Sequence, residues 1–434
     1  MNQPPLKVII AGGGVGGCAL ALFLSKLGVQ VTVLELRAER PATLSGGFLT
    51  ISPNGTRILG ALGLVDKLLA RDNGIKIPFL SMYDSEGMFL GNVPQGREER
   101  YGFPSILTAR WDIHETLLDE ATSKGIEVIY GAKVREVVEN DASVTVRWTE
   151  GDEKKQADSD LIVGADGIWS SVRNSVYAHI GTVAPKPTYQ GLLGVGGVVP
   201  VADVPGLEKF LTPALPMAMF HGRNGFFGAA LFDKSGTHAG WWSTYESPER
   251  AASEWQTPKE ESMSEVVRRQ KDWAFPVSEI ITAVREFDFS PYVVPIYEVE
   301  GLKHWHTSRM VLIGDAAHAT PPHSGQGASQ ALEDAGYLAT LIRQLLLQTE
   351  ASVPTSAQLR DVFAAFQEAR QDRVNMIIRE ANRRGNAKKD QSALSMFFKK
   401  WAMKTFFTLF MSEGMMDHWF GYEVPGLKEW ASRS

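Results

Sequence analysis

The spacing of apolar positions changes repeatedly along the chain, and each change marks an element. Val8-Ile9-Ile10-Ala11 is a short β-branched run, too short for a helix, and reads as a buried parallel strand. From Cys18 to Lys26 the spacing and the Ala and Leu content become helical, Gly28 stops the run, and Val29 to Leu34 alternates as a second strand ending in Glu35. Asn54 to Leu64 predicts a short helix closed by Gly63, and residues 75–93 alternate around Asp84 to Gly87 as a hairpin. Leu107 to Glu120 predicts a helix that buries Trp111, Leu117 and Leu118, with Arg110 at its mouth. Ile126 to Tyr130 and Val134 to Trp148 read as strands, with polar turns at Asn140-Asp141 and from Glu150 to Lys155. Residues 158–173 give a buried strand, the turn Gly164-Ala165-Asp166-Gly167 and a helix carrying Arg173.

Between Pro187 and Pro295 the texture shifts to short glycine-, aromatic- and β-branched-rich runs: Gly191 to Val199, Ala218 to His221, Phe226 to Phe232 and Trp241 to Tyr245. Such runs separated by turns predict an antiparallel sheet with helical insertions. RMVLIG at 309–314 returns to a buried strand, and helical spacing resumes from Gln326. Asp361 to Arg384 predicts a long charged helix with Val362, Phe363, Phe366 and Val374 inward. The tail, Leu394 to Phe420, is rich in Phe, Met and Trp and carries Lys399, Lys400 and Lys404. Its neighbouring aromatic pairs cover too much of the helix circumference for one shallow membrane face, so a helix packed on the protein is expected rather than a peripheral anchor. The chain has no internal repeat.

Chemistry concentrates first at residues 12–35. Gly12, Gly14 and Gly17 form G-x-G-x-x-G between a strand and a helix: Gly12 permits the tight turn, Gly14 lets the backbone approach a pyrophosphate, and Gly17 allows close helix packing. Glu35 follows 23 residues after Gly12, where a carboxylate accepts the ribose hydroxyls of an adenosine. A dinucleotide site is therefore expected, with Val15 beside the loop and Arg37 beyond Glu35 included in it. The pair Gly46-Gly47 suits close approach to a flat ligand or an ordinary loop.

Composition narrows the partners. A chain of 434 residues suggests about two or three domains. With 44% hydrophobic and 22% charged residues it reads as soluble and globular, and a net charge of −6 gives no basic footprint for nucleic acid. The single cysteine, Cys18, excludes an intrachain disulfide, fits a reducing compartment and is read as a small core residue. The first strand starts within about seven residues, leaving no room for a signal peptide, and no clean span of about 20 apolar residues occurs. A cytoplasmic protein without a metal centre is expected.

Three separated motifs now form a set: the first strand and glycine loop with Glu35, VGADGIWSSVR at 163–173, and LIGDAAHATPPHSGQG at 312–327, with PNGTRILGALGL at 53–64 beside them. Together they resemble the single-component FAD-dependent aromatic hydroxylase family, which contains para-hydroxybenzoate hydroxylase, salicylate hydroxylase and kynurenine 3-monooxygenase. The resemblance spans about residues 8–345 in the right order and spacing. It implies an α/β fold: a Rossmann-like FAD-binding domain of residues 1–75, 102–183 and 290–360, an inserted, mostly antiparallel substrate domain of 76–101 and 184–289, and a C-terminal helical region from 361 to 434. It implies that Glu35 binds the adenosine ribose, that Gly46 and Gly47 lie near the flavin, and that Arg110 contacts FAD. Asp166 with Gly167 forms the family's D-G motif, tied to FAD and nicotinamide nucleotide binding. By the same resemblance Asp315 of the G-D motif would hold the ribityl or pyrophosphate part, and His318 beside it is read as structural.

Gly325-Gln326-Gly327 begins a helix whose bare N–H groups, with Ala328, are expected to face the flavin pyrimidine edge and favour its reduced, negatively charged state. Ser329 stands where the family often has asparagine, and can still cap or donate. Gly194-Val195-Gly196-Gly197 lacks a third glycine, so a dedicated nicotinamide domain is disfavoured, and the W-x-W-x-I-P signature of flavin halogenases is absent.

The implied activity is insertion of one oxygen atom from O₂ into a small, ring-containing molecule through a flavin C4a-hydroperoxide, with NADH or NADPH as electron donor. The alternatives are a flavin oxidase or reductase of the same fold, or a flavin-binding protein without turnover. No catalytic residue is named: His221, His238, His323, Tyr189 and Tyr245 are polar groups of a substrate region, each more often structural, and Arg223 serves a turn.

Overall fold

The computed structural model describes residues 5–39, 47–251, 259–287, 291–299, 301–349 and 353–431. Five parallel strands form the first sheet, in the order Met310–Leu312, Leu161–Gly164, Lys7–Ala11, Gln30–Glu35 and Glu127–Tyr130. Its inner strands are nearly solvent-free because helices cover them, as their unbroken apolar runs require. Helix Val15–Ser25 packs against helices Arg110–Ser123 and Gly327–Gln348, which brings three distant motifs to one end of the sheet.

Two local readings change. Residues 107–109 belong to the strand Ile106–Ala109, which pairs with Phe48–Ile51, and the helix begins only at Arg110. All four strand residues are buried, so sheet pairing overrides the helical spacing. The polar turn at Glu150 to Lys155 shrinks to residues 151–152, because Glu153–Ser159 pairs through its backbone with Val144–Glu150 as an exposed edge strand. Its charged side chains suit an edge and conceal the strand from any apolar pattern.

The second large sheet has seven strands, ordered Tyr292–Glu298, Thr188–Pro200, His238–Glu246, Gly225–Leu231, Met217–Gly222, Phe79–Asp84 and Phe89–Pro94. All neighbours are antiparallel except Met217–Gly222 with Phe79–Asp84. Of the hairpin expected at 75–93, Phe79–Asp84 and Phe89–Pro94 join the strands after residue 187, while Ile75–Lys76 pairs with Ile106–Ala109 instead. Tyr292–Glu298, expected in the third segment of the Rossmann-like domain, is an edge strand of this sheet instead. Helices Lys259–Gln270 and Val277–Glu286 bury Val266, Ile280, Ile281 and Val284 in the same core.

Helix Ser356–Asn386 starts with a capping box between Thr355 and Gln358 and buries Phe363, Phe366 and Val374, with Val362 half-buried. Helix Ala393–Leu409 packs on one side only: Met396 is buried, and Met403 and Phe407 lie on the core of the seven-stranded sheet. Leu394, Phe397, Phe398, Trp401 and Leu409 are each more than half exposed. Beyond it, Trp419, Phe420, Leu427 and Trp430 return to the interior, and Trp430 meets Phe23 edge-on at 4.9 Å. Among the described residues no helix is long and apolar enough to cross a membrane.

Candidate active site

Gly12 leaves its strand with φ of +103°, and a Cβ there would stand 2.2 Å from the Ala165 carbonyl oxygen. At Gly17 a Cβ would lie 2.0 Å from the Gly12 oxygen, so the helix rests directly on the loop. Gly14 differs: its φ is an ordinary −73°, and a Cβ would meet nothing within 4 Å. The buried Glu35 accepts the Gly13 N–H at 2.8 Å on one oxygen and the Arg37 N–H at 3.0 Å on the other. Its remaining lone pairs stay free to accept. Val15 is half-buried at the helix start, and the Arg37 side chain is exposed.

Two further residues brace this loop. The Cys18 thiol donates to the Gly13 oxygen at 3.1 Å, and burial, with Glu35 nearby, pushes it up to about 12, as suits an inert core residue. His114 Nε2 also bonds the Gly13 oxygen, and burial lowers its pKa. Nothing in the local sequence marks His114 for this.

The D-G and G-D motifs meet the loop. Asp166 accepts the Ser171 N–H at 2.7 Å, the Val172 N–H at 3.2 Å and the Ser170 hydroxyl, so its carboxylate caps helix Ser171–His179. Gly167 follows with φ of +78° and open space at its Cβ position. Arg173, buried, donates to Ala316 O at 3.0 Å and Ile168 O at 2.5 Å and so ties the two motifs together. Around Gly314, residues 310–314 and 316–319 are all buried, and Asp315 alone opens outward.

Across the opening, Gly47 has φ of +67° and its carbonyl accepts the Arg110 N–H at 3.0 Å; Gly46 lies outside the described residues. The Arg110 side chain is exposed, and its charge bears on His114, Tyr292 and Asp315. Tyr292, whose pKa burial pushes up to about 12, reaches from the edge of the seven-stranded sheet to Gly47: its hydroxyl would be 2.9 Å from a Cβ on Gly47 and 2.5 Å from one on Gly196. Gly196 is therefore not remote from the opening, and a valine there would disturb Tyr292 as well as its own strand.

At the start of helix Gly327–Gln348 the conformational load falls on Gly325, with φ of +66°; Gly327 has no left-handed φ. A Cβ at either would meet nothing within 4 Å. Ala328 is half-buried, and no side chain caps the helix, which leaves its first N–H groups available. Ser329 is turned inward and accepts the Ser52 N–H at 3.1 Å rather than lining the opening.

The open positions at Gly14, Gly325 and Gly327, the outward Asp315 and Arg110, and the acceptor Glu35 fit an extended dinucleotide bearing a flat ring. Residues 5–353 match the family model described as FAD binding domain. The chain belongs to this family. The 3-amino-4-hydroxybenzoate 2-monooxygenase of Streptomyces platensis is 30% identical over 391 residues, covering 89% of this chain and 88% of that protein. An FAD-dependent monooxygenase of Penicillium paxilli is 28% identical over 392 residues, covering 87% and 78%. Two solved structures share the fold: a salicylate hydroxylase substrate complex, with TM-score 0.77, 21% identity and 98% of each chain covered, and an HpxO variant of Klebsiella pneumoniae complexed with FAD, with TM-score 0.77, 23% identity and 95% and 98% covered. The protein is an FAD-dependent monooxygenase.

In this monooxygenase a buried polar network supports the helix Gly327–Gln348. Asp334 accepts the Gly314 N–H at 2.8 Å, bonds His318 Nε2 at 2.6 Å and accepts Arg370 Nε at 2.7 Å. Burial alone would raise its pKa, but the charges of His318 and Arg370 hold it down at about 2. Glu333 accepts from Arg370, from Arg373 Nε and Nη2 at 2.8 Å each, and from Asn54 at 2.6 Å. His318 thus anchors the G-D turn from inside while Asp315 faces out. Asp315→Ala is expected to lower FAD occupancy with little change in apoprotein melting temperature, and His318→Ala to lower the melting temperature more than the affinity. Matched flavin titration and thermal melts of both variants check this, and equal effects would mean the roles are misassigned.

Proposed function

We propose that this monooxygenase inserts one oxygen atom into an aromatic or polycyclic molecule, taking electrons from NADH or NADPH. The reading rests on the seam between the sheets: Phe48, one residue after Gly47, stacks edge-on against Trp242 at 5.2 Å and against Phe232 at 6.4 Å, so the ring opening faces an aromatic sheet. The named monooxygenase of aminohydroxybenzoate among its relatives supports the substrate class. In this reading the five-stranded sheet region carries the cofactor, the seven-stranded sheet carries the substrate, and the work is done in the cytoplasm.

FAD supplies the electron storage and oxygen activation once bound. The chain's residues bind, orient and exclude water. Glu35 accepts the adenosine ribose hydroxyls, the Gly14 backbone and Arg37 with Val15 border the pyrophosphate, and Asp315 and Arg110 hold the middle of the cofactor. Gly47, Gly325, Gly327 and Ala328 border the ring, and the uncapped N–H groups of the last helix favour negative charge there. Asp166 keeps its helix cap and shapes the loop around Gly12. Tyr292 closes the seam against water.

Glu35→Ala is expected to weaken FAD binding by about 1.5–3 kcal/mol, the cost of a charge-assisted bond, or roughly ten- to a hundredfold. Undiminished affinity in a flavin-fluorescence titration would contradict the ribose assignment. The function itself is tested by following NADPH and NADH oxidation and H₂O₂ with a panel of ring compounds. Stimulated oxidation with H₂O₂ well below the nucleotide consumed supports a monooxygenase; full conversion to H₂O₂ favours an oxidase, and inert FAD a binding protein.

A further inference from the structure

The first glycine loop contains a peptide plane with glycine on both sides. The unit joining Gly13 to Gly14 is trans, and neither residue has a Cβ to resist its rotation, so its own backbone opposes a flip only weakly. The two orientations differ in what they show a ligand. As folded, the Gly13 carbonyl points inward to buried partners, and the Gly14 N–H, on the opposite edge of the same trans unit, points away from them. That N–H meets no acceptor among the described residues, and a Cβ on Gly14 would meet nothing within 4 Å. After a flip, a carbonyl oxygen would face the opening and repel a phosphate there.

What fixes the plane is therefore whatever grips the Gly13 oxygen. Two side chains do so, the Cys18 thiol at 3.1 Å and His114 Nε2. A thiol is a weak donor and an imidazole N–H a full one, so His114 carries most of the hold. Its partner is a carbonyl, so the ring's proton resides on Nε2, and Nδ1 is left buried and unpartnered. An apolar side chain of similar size would fill this place without an orphaned nitrogen, so packing does not account for the imidazole. Donation to the Gly13 oxygen also polarises the amide and strengthens the Gly14 N–H as a donor. His114 reaches the loop from helix Arg110–Ser123, one turn beyond Arg110, and lies within the fields of Arg37, Glu35 and Arg110, the charged groups that border the opening. On the other side of Gly13, its N–H is held by Glu35 at 2.8 Å.

We propose that His114 is a positioning residue for FAD: by holding the Gly13 carbonyl inward it latches the Gly13–Gly14 peptide with its N–H presented to the pyrophosphate. The inference rests on the placement of the pyrophosphate at Gly14 given above. His114 acts through the loop rather than by contact with the cofactor.

Three variants test this. His114→Leu removes the donor and keeps the bulk, His114→Gln supplies an amide donor of similar reach, and Leu118→Ala opens a cavity one turn further along the same helix. Each is characterised by flavin-fluorescence titration, by melting of the apoprotein, and by ³¹P NMR of bound FAD, whose two phosphate resonances respond to the donors on their oxygens. His114→Leu is expected to bind FAD about tenfold or more weakly, with a pyrophosphate resonance displaced toward that of free FAD, while its apoprotein melts no lower than that of Leu118→Ala. His114→Gln is expected to recover the wild-type resonances and affinity to within about threefold. Leu118→Ala should melt lower with its resonances unmoved. His114→Ala, a second non-donor that leaves a gap in place of the bulk, should show the displaced resonance of His114→Leu. Wild-type affinity in the two non-donors, an affinity loss without a displaced resonance, no recovery in His114→Gln, or equal displacement in Leu118→Ala would overturn the proposal. If Gly14→Val loses FAD while His114→Leu retains it, this inference alone falls; if both retain it, the pyrophosphate is not at this loop and the placement falls as well.

Discussion

Arg370→Ala is expected to lower the stability of the folded protein by about 3–5 kcal/mol, the range for removing one partner of a buried ion pair. The guanidinium is fully buried and bonds Asp334 at 2.7 Å, Gln330 Oε1 at 2.7 Å and Glu333. Its loss leaves Asp334 with His318 and one N–H, and Glu333 with Arg373, Asn54 and Gln330, both carboxylates fully buried. Urea denaturation of the FAD-depleted protein measures the change, and a loss below about 1 kcal/mol would show that the network relaxes around the gap. Because Asp334 is held low in the folded state, its contribution is present above the ordinary carboxylate range and is lost as pH falls from about 4 toward about 2. Asp334→Asn should therefore flatten the acid limb of the stability curve.

Two glycines two positions apart in the chain should fail in opposite ways. In Gly14→Val the backbone is already at a φ that valine tolerates and the new side chain enters open space, so the apoprotein should fold normally while FAD affinity falls by about a hundredfold or more. In Gly12→Val the side chain would meet the Ala165 carbonyl at 2.2 Å with φ of +103°, so the loop and strand cannot close and the folded yield itself should collapse. Thermal melts of apoprotein and flavin titrations separate the two. A Gly14→Val protein that retains wild-type FAD affinity would mean that the open face of this loop is not the cofactor's.

The first strand, glycine loop, helix and Glu35 were legible because every determinant is local: a β-branched run, three spaced glycines, a helical run and a terminal acid within residues 8–35. The seven-stranded sheet was legible from its aromatic alternation, although its edge strand Tyr292–Glu298 was hidden by the short interval before the next buried strand. Strain at Gly325 rather than Gly327 could not be read, since both glycines look alike in sequence and only the turn geometry assigns the positive φ. Arg370 and Lys388 were illegible for a different reason. Each lies in a stretch rich in basic residues, where a solvated face is the ordinary outcome, and only contacts across 36 and 65 residues of chain reveal that these two point inward. Tyr292 and His114 likewise acquire their positions from elements far away in sequence.

In the proposed reaction the bound flavin activates oxygen for transfer into a ring compound. The most direct test supplies the FAD-loaded enzyme, NADPH or NADH and the best-binding ring compound with ¹⁸O₂, and weighs the product. A single ¹⁸O atom in the product, with nucleotide and product formed in equal amounts, is the predicted result; unlabelled product, or nucleotide oxidation that yields only labelled H₂O₂, would contradict it.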